Sequence, residues 1–255
     1  MIKVPIDQYS IIKKEIREAS TFAHSILDFM IEGTVYSDCT NYNSLLFQAA
    51  SGFFFVTGSP SNELFMEHLI DIFEKTVLKG NRFTLFSNEI VWEQAIEKFL
   101  YKRVRRIERV AYSFDLPTYI NRTTIASLYD VYRINSCLIE NSLEFNEKYY
   151  EEYWDSKENF LQNGIGFCVK DKNRIIGEAV SIFKSNNYAE IDIITDPAYR
   201  GKGVASLISQ RFIDYCLSIN IHPRWDCDVD NRASAYLANK FGFTNPKKYA
   251  IYIKA

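Results

Sequence analysis

The residues of this chain best suited to chemistry lie in one short segment, Tyr199-Arg200-Gly201-Lys202-Gly203-Val204-Ala205. An apolar strand over 189–195 runs into it, and a helix leaves it. Gly201 and Gly203 let the backbone turn tightly and approach a ligand closely. The first N–H groups of a helix have no intrahelical partner and carry the positive end of its dipole. Such a turn suits a pyrophosphate, and Arg200 and Lys202 add charge beside it. Two familiar phosphate motifs are excluded. Ser206 stands where the third glycine of a dinucleotide fingerprint would be, and there is no GxxxxGK[ST] loop.

The strand feeding the turn carries carboxylates. Period-two alternation puts Glu190, Asp192 and Ile194 on one face, and Ile191, Ile193 and Thr195 on the other. Asp226 and Asp228 lie on a second short strand, 223–229, and Glu178 lies on a hairpin over 166–183. Trp225 and Cys227 share one face of 223–229, with Arg224 and Asp226 on the other. Cys227 reads as a packed thiol rather than a nucleophile.

The elements that must position these groups follow from periodicity and punctuation. The hairpin turns at Lys172-Asn173, and strand 189–195 ends at Asp196-Pro197. Apolar residues at Val204, Leu207, Ile208, Phe212, Cys216 and Ile219 make 204–219 a helix. Asn231 opens a helix that Gly242 stops, and YAIYIK, 249–254, supplies the last strand. Upstream, 125–134 reads as a strand and about 136–162 as a helical region. The first half gives a helix over 10–31, a buried strand over 53–58 and a helix opened by Ser61 or Asn62 and closed by Gly80. A strand over 82–87, a helix over 90–101 and a strand over 105–116 follow. Asp115-Leu116-Pro117 is the best break in the middle of the chain. The expectation is an α/β fold with a mixed sheet in two domains, 1–120 and 121–255. The order of elements suggests a decayed duplication, although no residue-level repeat supports it.

Composition narrows the function classes. The chain has 255 residues, 47% of them apolar and 24% charged, with a formal net charge of −2, so it has no global field toward nucleic acid or an anionic membrane. The basic run Lys102-Arg103-Val104-Arg105-Arg106 is broken by Glu108 and reads as a solvated edge strand. The five cysteines are odd in number and widely spaced, as in a reducing compartment. His24, His68 and His222 are too scattered for a zinc site, so no metal is expected. MIKVPIDQYS lacks the layout of a signal peptide, and the most apolar stretch, 45–58, is too short to span a bilayer. The expectation is a soluble, cytoplasmic protein.

Arg200-x-x-Gly203-x-Ala205 resembles the R/Q-x-x-G-x-G/A motif of the GNAT superfamily of acetyl-CoA-dependent N-acetyltransferases. Asn231-Arg232-Ala233-Ser234 through Lys240-Phe241-Gly242-Phe243 is similar to that superfamily's second motif, and the order of elements over about 120–255 matches as well. Gly166-Phe167-Cys168, Tyr199-Arg200-Gly201-Lys202-Gly203, Trp225-Asp226-Cys227 and Asn231-x-x-Ser234 further resemble the subfamily that contains the zwittermicin A resistance protein. The resemblance implies acetyl-CoA as co-substrate. Backbone N–H groups of Gly201, Lys202, Gly203, Val204 and Ala205, extending to Ser206, would hold its pyrophosphate, with Arg200 adjacent. Ile193, Ile194 and Thr195 would offer main-chain groups to the pantetheine arm, strands 189–195 and 223–229 would splay apart, and Asn231 and Ser234 would lie near that arm. The first domain would be a smaller α/β unit, a degenerate GNAT-like half, that helps form the acceptor cleft.

In placement, Glu190 resembles the base carboxylate that several GNAT enzymes carry on this strand, with Asp192 second. The sequence departs from the family where many members place a tyrosine that protonates the leaving thiolate. That position, counted back from Gly242-Phe243, is Ala238, and Tyr236 lies on another side of the helix. The leading reading is an N-acetyltransferase acting on the primary amine of a small molecule. The alternative is a non-catalytic acyl-CoA-binding module that kept the loop and lost the acid; a nucleotide-phosphate binder is more remote.

Overall fold

The computed structural model describes residues 1–16, 19–120 and 129–255. It contains two compact units, Met1–Val110 with Lys248–Ala255, and Ala111–Lys247. The expected division at 120/121 differs from this at both ends. Asp115-Leu116-Pro117 is a helix start inside the second unit, where Asp115 N donates to Gly242 O at 2.8 Å. The end of the last strand belongs to the first unit. The expected boundary region, 117–123, runs in part outside the described residues.

The first unit comprises β1 (Ile2–Lys3), α1 (Tyr9–Glu15), α2 (Thr21–Leu27), β2 (Gly33–Ser37), β3 (Ser44–Ala49), β4 (Phe53–Gly58), α3 (Glu63–Leu78), β5 (Thr84–Phe86), α4 (Ile90–Phe99) and most of β6 (Val104–Phe114). The helix expected over 10–31 is two helices. Ser20 caps the second by accepting from Ala23 N, and residues 17 and 18 lie outside the described set. Strands β1 to β4 are antiparallel neighbours, and β4 pairs in parallel with β5. FFFV, 53–56, is unbroken by polar residues because both faces of β4 are covered. Phe54 and Val56 pack with Phe65, Leu69 and Trp92 of α3 and α4, while Phe53 meets Phe22 of α2.

The second unit comprises α5 (Leu116–Ile120), β7 (Asp130–Arg133), α6 (Ser136–Glu140), α7 (Glu147–Trp154), α8 (Lys157–Asn163), β8 (Gly166–Asp171), β9 (Arg174–Lys184), β10 (Tyr188–Thr195), α9 (Val204–Ser218), β11 (His222–Asp228), α10 (Arg232–Lys240) and the start of β12 (Phe243–Lys254). Its sheet runs β7-β8-β9-β10-β11, antiparallel except for the parallel β10–β11 pair. The single helical region expected over 136–162 is three helices, because Asn135, Asn146 and Ser156 each accept a backbone N–H and open a new one. Of the strand expected over 125–134, residues 125–128 lie outside the described set. The last strand starts at Phe243 rather than 249, and its far end pairs with β5 through Ile251↔Phe86 and Tyr252↔Leu85.

The two units repeat one order. In the first it is β2-β3-β4, α3, β5, α4, β6; in the second, β8-β9-β10, α9, β11, α10, β12, with a parallel pair at the same step. In the second unit Ala189, Ile191, Ile208, Phe212, Ile213 and Trp225 form a core on the α9 side of the sheet. Among the described residues, no helix is long and apolar enough to cross a membrane.

Candidate active site

The site forms where β10 leaves β11. Parallel pairing covers Tyr188↔His222, Ala189↔Pro223 and Glu190↔Arg224, whereas β10 stays paired with β9 as far as Thr195↔Gly177. Beyond Glu190 the two strands diverge, and the register with β9 shifts between Glu190 and Ile191. Such an irregularity bends the ladder locally. The opening exposes one edge of Ile191–Thr195, where Ile193, Ile194 and Thr195 are half-buried. A strand edge with free N–H and C=O groups suits an extended ligand.

At the end of β10, Asp196 starts a 3-10 turn over Pro197–Tyr199 by accepting from Ala198 N at 2.9 Å. Asp196 is buried and ion-paired with Arg174. Gly201 at φ 76° and Gly203 at φ 83° follow, both in the left-handed region. A β-carbon on either would meet nothing within 4 Å, so the glycines border open space rather than packed protein. Gly203 is the N-cap of α9 and no side chain caps the helix. Its leading N–H groups, at Val204, Ala205 and Ser206, therefore have no intrahelical partner. Arg200 and Lys202 are exposed beside this turn, Lys202 Nζ standing 4.6 Å above the Tyr199 ring. The structure thus brings together the residues expected to hold a pyrophosphate, and their geometry fits one.

The corresponding place in the first unit is built differently. Asn62 caps α3 by accepting from Phe65 N at 3.1 Å, and Glu63 occupies its first turn. Where β4 outruns β5, Glu89 accepts from Gly58 N at 3.2 Å and from the Thr57 hydroxyl, and Trp92 Nε1 donates to Gly58 O at 2.9 Å. Side chains of the unit itself thus satisfy the backbone that the second unit leaves open.

The polar candidates separate by face. Ile191 and Ile193 join the α9-side core, so Glu190 and Asp192 look the other way, toward α7. Glu190 is half-buried and lies opposite Arg224, whose guanidinium is 3.7 Å from the centroid of the Tyr188 ring. Asp192 Oδ2 accepts from Tyr149 Oη at 3.0 Å. Burial, then the Asp192 charge, hold the Tyr149 phenol well above the usual tyrosine range. Glu178 is only 1% exposed; its Oε2 accepts from Ser142 Oγ at 2.9 Å and Leu143 N at 2.7 Å. Burial raises its carboxyl despite those donors. It serves the α6–α7 loop rather than an open site.

Other expected residues have structural duties too. Asn231 caps α10 by accepting from Ser234 N at 3.0 Å, and Ser234 Oγ accepts from Trp225 Nε1 at 2.9 Å. Ser206 Oγ accepts from Lys240 Nζ at 2.8 Å, which leaves the backbone N–H as its contribution to an anion. Cys227 is buried. Ala238 is 0% exposed within the core beside Trp225 and Phe243, whereas Tyr236 is 72% exposed. Sequence reasoning missed Tyr149. Its only signal was the run Tyr149-Tyr150, Tyr153 on one short helix, where each ring carries a polar tip.

A family model described as GNAT acetyltransferase matches residues 10–252. The uncharacterized N-acetyltransferase YdfB of Bacillus subtilis (strain 168) is 36% identical over 233 residues, covering 91% of this chain and 89% of its own length. Among solved structures, a GCN5-related N-acetyltransferase-like protein from Streptococcus suis 89/1591 has a TM-score of 0.70 at 24% identity, covering 98% of this chain and 99% of its own. A tandem GNAT protein from the clavulanic acid biosynthesis pathway has a TM-score of 0.67 at 10% identity, with 99% and 97% covered. These two structures share the fold.

Proposed function

Because the chain belongs to the GNAT acetyltransferase family, we propose that it moves the acetyl group of acetyl-CoA to the primary amine of a small molecule. One observation carries the donor: an uncapped helix start behind two left-handed glycines that face open space, at the point where β10 and β11 part. The N–H groups of the 201–206 turn would hold the pyrophosphate, with Arg200 and Lys202 adding charge. The free edge of Ile193–Thr195 would take the amides of the pantetheine arm. The donor supplies an acetyl group activated as a thioester.

An amine must lose its proton to attack. Glu190 is the base in this reading, because it is half-buried beside the opening and on the face away from the α9 core. With Ala238 in the core, no side chain of α10 is placed as the usual acid. Coenzyme A is a tolerable leaving group because the thiolate of a thiol with a pKa of about 8.5 is a weak base. Water, or the N–H of the newly bonded nitrogen in the tetrahedral intermediate, supplies a proton to the leaving thiolate. The small-molecule acceptor rests on the resemblance of 166–168, 199–203, 225–227 and 231–234 to the zwittermicin A resistance subfamily.

Acetyl-CoA turnover across a broad amine panel, polyamines and aminoglycosides included, tests this reading. Thiol release with at least one amine is the expected result. Stabilisation by acetyl-CoA without turnover of any amine would favour a non-catalytic acyl-CoA-binding module instead.

A further inference from the structure

Two carboxylates share the side of β10 that faces away from the α9 core, and only one role has been assigned. Asp192 lies two residues past the last β10–β11 pair, and its Oδ2 takes a hydrogen bond from Tyr149 at 3.0 Å. Tyr149 is firmly placed. Its ring lies 4.6 Å from Tyr153, 4.8 Å from Phe145 and 5.5 Å from Tyr150, centroid to centroid. Its helix is capped by Asn146 and anchored by fully buried Tyr150 and Trp154. The loop ahead of that helix is fastened to the sheet by Glu178, through Ser142 Oγ and Leu143 N.

A hydroxyl donated to a carboxylate favours its ionised form and weakens it as a base. The same carboxylate is held in one orientation, which suits it to bind a positive charge. An alkyl amine arrives at neutral pH as an ammonium ion. We propose that Tyr149 is a positioning residue that orients Asp192 to bind the cationic group of an alkylammonium acceptor, so that proton removal falls to Glu190. The proposal rests on the amine-acetylation reading and adds a recognition residue from α7 to it. It accounts for two carboxylates on one strand face with different surroundings: Asp192 under a phenol, Glu190 opposite Arg224.

The test is steady-state kinetics of Tyr149→Phe, Asp192→Asn and the double variant, with the best amine of the panel. Phe keeps the ring packing and removes only the hydroxyl. For Tyr149→Phe we expect acceptor KM to rise about ten-fold, with kcat and the KM for acetyl-CoA within a few-fold of the parent. The double variant should be no worse than Asp192→Asn, because the hydroxyl acts only through that carboxylate. A loss confined to kcat, an equal loss in the acetyl-CoA KM, or additive effects in the double variant would overturn the proposal. If the parent acetylates no amine, the functional reading fails separately. Calorimetry of the same amines with the coenzyme A-loaded chain then decides the recognition role: weaker binding by Tyr149→Phe supports it, and equal binding or none by the parent overturns it.

Discussion

Gly177 of β9 and Val204 of α9 approach so closely that a β-carbon on Gly177 would stand 2.5 Å from Val204 Cγ1. Val204 is the first residue of the helix whose start borders the proposed donor site, and it is 1% exposed. The missing side chain on the sheet therefore sets how far the helix start settles onto β9. Gly177→Ala should push that turn outward. The expected outcome is weaker acetyl-CoA binding, by about ten-fold, with loss of stability of about 1–3 kcal/mol from overpacking. Isothermal titration with acetyl-CoA and thermal melting check the two effects separately.

Gly203 answers a different question, because space around it is open but its φ of 83° is strained for other residues. Gly203→Ala should cost about 1–2 kcal/mol in the free protein. It should also fill the space a phosphate would approach. Saturating acetyl-CoA should raise the Tm of the parent by ligand linkage and raise that of the variant far less. An equal rise in both would remove the turn from the donor site.

Glu190→Gln should lower kcat by about 10²-fold or more with acetyl-CoA affinity nearly unchanged. Gln keeps the size and polarity of the side chain and removes its basicity. Full activity in this variant would move the proton-accepting role to Asp192 or Asp226.

Introducing a tyrosine at Ala238 should destabilise the chain rather than restore an acid. Ala238 is fully buried in the core that holds Trp225 and Phe243, so a ring there would have to displace packed neighbours. Ala238→Tyr is expected to lower Tm by several degrees and to leave the alkaline limb of the pH–rate profile without a new inflection. A new limb at unchanged Tm would place that position at the thioester after all.

Glu178 gives a pH signature. Burial raises its carboxyl above the ordinary glutamate value, so the folded chain binds that proton more tightly than the unfolded chain. Stability from this group is greatest in acid and falls as pH rises from the ordinary value through the raised one. Glu178→Gln removes the titration. Its Tm relative to the parent should climb with pH over that window, and a difference independent of pH would contradict the shift.

The strand, turn and helix start of the proposed donor site were legible because their information is local. Glycines at 201 and 203, the apolar period of 204–219 and the strand before them specify a strand, a left-handed turn and a helix start within one stretch of chain. Alternation along 189–195 likewise assigned faces that the structure keeps, since a strand's side chains cannot change sides without a register slip. Three things depended on contacts distant in sequence. The end of β12 joins the first unit because Ile251 and Tyr252 pair with Phe86 and Leu85, and Ala250 N finds Glu93 Oε1 at 3.0 Å. Nothing within 248–255 encodes that choice, because hydrogen-bonding capacity along a strand is the same whichever edge it meets. Ala238 looked like a vacated catalytic position until its burial showed which way that side of α10 faces. Glu190 and Asp192 share one strand face, and the sequence ranks them as first and second candidates for one role. What separates them is a phenol brought over from α7, and only the packing of Phe145, Tyr150 and Trp154 puts it there.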